Sequence, residues 1–156
     1  GGFFLKNSDI IADKNTLYFS NNKNEFFCID IKTGTLNWTQ KINSNLRPTL
    51  IDKYIITVSS EGYLIIIDKI YGNILRSTDI FKNFKPKKRV KIKPVGFIVG
   101  KNNIYLTTNN GKLLVIDIVT GITSSILKID NDKISRPSVL NNNLYIIKDN
   151  SIIKLN

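Results

Sequence analysis

Three carboxylates stand at matched positions in this chain of 156 residues. Asp30, Asp68 and Asp117 each follow an apolar residue (Tyr18, Ile56, Tyr105) by 12 positions and precede a glycine (Gly34, Gly72, Gly121) by four. Clustered acids are the raw material of general acid–base catalysis and of metal binding. Here, however, each Asp belongs to its own turn between two apolar runs, where a carboxylate accepts hydrogen bonds from the following backbone N–H groups. Turn formation is the favoured reading over catalysis.

The other reactive types are sparse. The single Cys28 excludes an internal disulfide and a multi-cysteine metal site, and its place in Phe26-Phe27-Cys28-Ile29 suits a small packed hydrophobe. The absence of His excludes classical triads, His-based proton transfer and most zinc sites. Tyr18, Tyr105 and Tyr145 recur on equivalent runs and read as packing residues. Asn110-Gly111 reads as a hairpin turn and not as a phosphate cradle. No cofactor or metal is expected.

One charge cluster remains: Phe81–Pro94, FKNFKPKKRVKIKP, with Lys82, Lys85, Lys87, Lys88, Arg89, Lys91 and Lys93. It lengthens the Asp-to-Asp spacing from 38 to 49 residues and interleaves Phe81 and Phe84. Such a segment suits an acidic partner or anionic lipid headgroups. The plainer alternative is a solvated, flexible connector in a Lys-rich chain. The net charge of +11 by itself is discounted as a nucleic-acid signal, because Ile, Asn and Lys make up 66 residues, the bias expected of AT-rich coding. No nucleic-acid partner is expected.

The elements that must position these residues are short strands. A chain of this length is ordinarily one domain, able to bury roughly 70% of its unfolded surface. Its 42% hydrophobic content is normal for a globular protein. No apolar run approaches the ~18 residues of a membrane span, and no secretory leader is visible. LYFSNNKNEFFCIDIKTGTLNW at Leu17–Trp38 recurs in altered form at Tyr54–Arg76 and Ile104–Ser125, with a truncated copy at Leu144–Asn156. Each copy supplies about four strands with tight turns, giving sets at residues 8–40, 47–78, 93–128 and 136–156, the last incomplete. Repeats of 40 to 50 residues with four strands each are the signature of propeller blades. Runs such as Leu64-Ile65-Ile66-Ile67 and Leu113-Leu114-Val115-Ile116 are nearly continuous, as in a sheet covered on both faces. The predicted fold is all-β: a β-propeller of four-stranded antiparallel blades, about four in number with the last incomplete, and no segment shows helical periodicity over a useful length.

The motif Asp30-Ile31-Lys32-Thr33-Gly34-Thr35-Leu36-Asn37-Trp38 resembles the pyrroloquinoline-quinone-like (PQQ-like) propeller repeat, "Leu-Asp-x-x-Thr-Gly-x-x-x-Trp". The resemblance spans the chain, with Thr120 and Gly121 matching in the third copy. The Trp position holds Arg76 and Ser125 in the second and third copies, and the Thr of the second is Tyr71. In that family the Trp docks between adjacent blades. Among its members the BamB-like scaffolds of outer-membrane β-barrel assembly fit better than quinoprotein dehydrogenases, which need adjacent cysteines, an aromatic floor, calcium ligands and long insertions. The resemblance implies a non-enzymatic protein-binding scaffold in the periplasm of a Gram-negative bacterium, associated with the outer membrane, with a partner similar to BamA's periplasmic domains. A quinoprotein oxidoreductase fragment and an anion- or surface-binding propeller are the alternatives. The chain reads as the C-terminal half of an eight-bladed ring, with residues Gly1–Leu5 as an outer strand. A half ring exposes apolar blade faces, so self-association is expected.

Overall fold

The computed structural model describes residues 11–21 and 23–155. The first residues of the set expected at 8–40, the Gly1–Leu5 segment expected as an outer strand, and Asn156 lie outside the described residues. Two compact units divide the chain, Gly1–Thr78 and Asp79–Asn156.

Within the first unit, β1 (Ile11–Asp13), β2 (Thr16–Ser20), β3 (Phe26–Asp30) and β4 (Leu36–Gln40) pair in sequence order as an antiparallel sheet. A second such sheet comprises β5 (Thr49–Ile51), β6 (Tyr54–Val58), β7 (Tyr63–Asp68) and β8 (Ile74–Asp79), whose last residue falls at the unit boundary. In the second unit, one sheet holds β9 (Pro94–Val99), β10 (Asn103–Thr108), β11 (Lys112–Asp117) and β12 (Thr123–Lys128). The other has three strands among the described residues: β13 (Ser138–Leu140), β14 (Asn143–Lys148) and β15 (Ser151–Leu155). The β-propeller blades expected from the repeat are therefore present, built of Ile, Val, Leu, Tyr and Phe runs that suit a pleated, half-buried surface.

Among the described residues one short helix, α1 (Pro86–Arg89), lies between β8 and β9 in an otherwise all-β arrangement. Pro86 begins it, in a position where the missing N–H costs nothing. Four residues are too few to show helical periodicity, so the sequence pattern could not reveal it.

The core lies between sheet faces within each unit. In the first, Tyr18, Phe26, Cys28, Trp38 and Ile42 pack with Ile55, Ile65 and Ile67. In the second, Leu113, Ile134 and Ile146 form the centre, flanked by Tyr105, Ile129, Leu144 and Leu155. Consecutive residues Leu64 and Ile65, and Leu113 and Leu114, are all buried although they point to opposite faces. Both faces of these strands are therefore covered, with each such side chain contributing roughly 1.5–3 kcal/mol.

The two ends of each sheet differ. At one end, a β3–β4, β7–β8 or β11–β12 turn of five residues sits against the preceding hairpin. There Ile31, Lys69 and Ile118 donate their N–H groups to the carbonyls of Asn15, Lys53 and Asn102. At the other end run the links between sheets, of eight residues (41–48), fourteen (80–93) and nine (129–137). The register also repeats. Pairing slips by one residue between Cys28 and Ile29 and again between Val115 and Ile116. Asn37 and Ser124 thus stand as bulges, each three residues after its motif glycine.

Candidate functional site

The three motif aspartates make the same turn. Asp30 Oδ1 accepts from the N–H groups of Lys32 (2.9 Å) and Thr33 (3.0 Å). Asp68 Oδ1 accepts from Ile70 (2.8 Å) and Tyr71 (3.1 Å). Asp117 Oδ1 accepts from Val119 (2.9 Å) and Thr120 (2.8 Å), with the Thr120 hydroxyl also near at 3.2 Å. Each turn closes by a glycine N–H donating to the Asp carbonyl, at 2.9 Å for Gly34 and 2.8 Å for Gly72 and Gly121. These glycines have φ of 69°, 77° and 72°. The Asp30 carboxyl is held below its ordinary range, chiefly by the Thr33 N–H, against the opposing effect of desolvation. Such a carboxylate is a stable anion committed to backbone donors and a poor proton carrier.

Trp38 joins the first sheet to the second. Its indole Nε1–H donates to the Lys69 carbonyl at 3.0 Å, inside the Asp68–Gly72 turn. Its ring lies on Gly72 so closely that a Cβ there would fall 2.3 Å from the ring. Phe26 stacks on its other side at 5.8 Å and 8°, and Tyr18 leans in at 6.2 Å. Gln40 Nε2 adds a bond to the Gly72 carbonyl at 2.7 Å. Lys69 in turn pairs with Asp13 at 2.7 Å, an ion pair that lowers the Asp13 pKa.

Beside this contact, Asp13, Thr16, Tyr18, Cys28, Asn37 and Lys69 line a cleft of about 450 Å³. Burial pushes the Cys28 thiol up in pKa, outweighing the hydrogen bonds from Asn37 and Tyr18. Tyr18 is likewise pushed up by burial. Both stay protonated at neutral pH, so neither acts as a nucleophile or base there. A second cleft of about 440 Å³ lies at the link end of the same unit, lined by Asn43, Ser59, Glu61 and Tyr63 among others. No group of three or more His, Cys, Asp or Glu able to hold a metal occurs among the described residues.

The basic segment is pinned at both ends. Ile80, Phe81 and Ile92 are buried, and Phe84 meets Phe81 edge-on at 5.5 Å. Arg89 reaches back to Asp79 at 2.6 Å, and the Asp79 carboxylate also accepts the Phe81 N–H. On the far side, Asn109 binds Lys91 and Lys93 through three bonds, to the Lys91 carbonyl and to the Lys93 N–H and carbonyl. Lys82, Lys85, Lys87, Lys88, Lys91 and Lys93 are all exposed. These contacts brace the loop at both ends.

Residues 5–78 match the family model described as outer membrane protein assembly factor BamB. No curated protein matches the chain. Among solved structures, BamB from Moraxella catarrhalis aligns with a TM-score of 0.73 at 15% identity, covering 94% of this chain and 41% of that one. The fold that the chain shares with this structure is the β-propeller. The computationally designed Ika4 protein aligns at TM-score 0.69 and 15% identity, over 95% of this chain and 91% of that one. The quinohemoprotein alcohol dehydrogenase from Comamonas testosteroni aligns at 0.61 and 16%, over 77% and 20%. This chain therefore spans well under half the length of the BamB structure it matches.

The repeats of this chain keep the Asp–Gly turn in three copies but seat a Trp in one. Arg76 is half-buried and Ser125 exposed at the equivalent positions. Gln40, Lys69 and Asn109 complete the turn and link contacts without having been singled out from sequence. Gln40 alone had a usable signal, since it lies two residues after Trp38 and so shares its strand face.

Proposed function

We propose that the chain is part of a non-enzymatic scaffold propeller of the BamB kind, acting in the periplasm at the outer membrane of a Gram-negative bacterium. The match of residues 5–78 to the BamB family model carries this reading. The turn geometry supports it: the matched carboxylates are occupied by backbone N–H groups and shape the sheet ends, leaving short turns and links as the surfaces offered to other proteins. The proposed partner resembles the periplasmic domains of BamA, the barrel-inserting protein. The partner list extends to a second copy of the chain. Leu140, Ile147 and Ile152 share one face of the β13–β15 sheet, opposite the face packed in the core, and all three are exposed. Exposed apolar faces of this kind favour association.

The test is binding of the protein to purified periplasmic domains of the barrel-inserting protein by calorimetry, with a titration of pyrroloquinoline quinone plus Ca²⁺ alongside. Saturable binding to the domains and none to the quinone is the expected result. Quinone binding with Ca²⁺ would instead favour the oxidoreductase reading and overturn the scaffold.

A further inference from the structure

We infer that the braced loop 80–93 is a docking surface for an anionic lipid bilayer. The first observation is where the charge sits. Residues 1–78 carry nine Lys or Arg against seven Asp or Glu, whereas residues 79–156 carry fourteen against five. A compositional drift toward Lys would spread evenly, and this does not. From Ile80 through Ile116 there is no acidic residue at all, and the carboxylate adjoining the loop, Asp79, is engaged by Arg89. The lone Arg of the loop is the residue turned back to Asp79 as a brace.

The second observation is order. Buried Phe81 and Ile92, the Phe84–Phe81 contact and the three Asn109 bonds hold both ends of the loop, while α1 fixes its middle. The lysines are thus presented by a folded support and lose less entropy on docking than they would on a random connector. The third is an apolar tip. Val90 is 71% exposed between Lys88 and Lys91, on a loop where Ile80, Phe81 and Ile92 are buried and Phe84 is half-buried. An aliphatic side chain ringed by ammonium groups suits the headgroup boundary, where the charges meet phosphates and the side chain enters the interface.

A bilayer fits better than an acidic peptide. Lysine is a strongly hydrated point charge that responds to surface potential without fixed pairing, whereas arginine forks dominate bidentate carboxylate recognition. The two clefts described above, which a peptide would prefer, lie in the first unit.

Vesicle co-sedimentation tests this, using phosphatidylcholine alone and phosphatidylcholine with about one-third phosphatidylglycerol. The protein should bind only the anionic vesicles, and added salt should release it. Replacing Lys82, Lys85, Lys87 and Lys88 together by Gln should weaken binding on the order of a hundred-fold, a few-fold per lysine. Val90→Ser should weaken it by roughly three-fold. A control variant with Lys101, Lys128, Lys133 and Lys154 changed to Gln should stay close to the parent. All six lysines and Val90 are exposed, and circular dichroism melts will confirm that each variant folds. Equal losses in the loop and control variants would show mere net charge and overturn the proposal. So would binding to polyglutamate with none to anionic vesicles, which would identify an acidic polypeptide as the occupant.

Discussion

Gly72 and Gly34 occupy the same turn position, yet substitution should affect them differently. Both need positive φ, which an alanine tolerates at a cost of about 1–2 kcal/mol. At Gly34 an added methyl meets open space, so Gly34→Ala should lose only that amount. At Gly72 the methyl would enter the Trp38 ring, adding about 1–3 kcal/mol of overpacking. Urea denaturation midpoints should separate the two variants clearly, and equal shifts would contradict the packing described. Asp30 makes a prediction in pH. Its folded pKa is depressed below the unfolded value of 3.8, chiefly by the Thr33 N–H. Its stabilising contribution is therefore complete above that value and fades as pH falls through the folded pKa. The melting temperature of the parent should fall toward that of Asp30→Asn as pH drops from about 5 to about 2.5. A constant gap between them would rule this out.

At the scale of elements, Trp38 decides how β4 meets the second sheet. Trp38→Ala should cost about 3–5 kcal/mol, while Trp38→Phe keeps the stack on Phe26 and loses mainly the bond to Lys69, about 1 kcal/mol. Thermal melts of the two variants, with near-ultraviolet dichroism as a check on the aromatic cluster, would test this. Much of this level was legible beforehand. The strands were readable because alternating and continuous apolar runs are broken by Asn, Asp and Gly turns at a fixed spacing. The turns Asp30–Gly34, Asp68–Gly72 and Asp117–Gly121 each join two strands, as the repeat placed them between apolar runs. What stayed hidden depends on three dimensions. The bulges at Asn37 and Ser124 leave the residue spacing of the repeat unchanged, α1 is shorter than one period of evidence, and Asn109 braces the basic loop from a hairpin 16 residues away from Lys93.

For the whole molecule, exposed apolar surface on the β13–β15 sheet leads to a concentration-dependent mass. Light scattering should show association that weakens when Ile147 and Ile152 are both changed to Thr. A monomer at every concentration would exclude it. The unequal ends of the sheets carry a different consequence. The Asp–Gly turns are five residues long every time, because a carboxylate, a glycine and a neighbouring carbonyl must all meet there. The links at the opposite end run to eight, nine or fourteen residues, and lengthening a link adds closure entropy only as the logarithm of its length. Evolution can thus graft new segments at one end while the other keeps the sheets in register. An engineer wishing to install a foreign epitope or a small domain would choose exposed positions of the links 41–48 or 129–137, away from the buried Ile42, Ser44 and Ile134, and leave residues 31–35, 69–73 and 118–122 untouched.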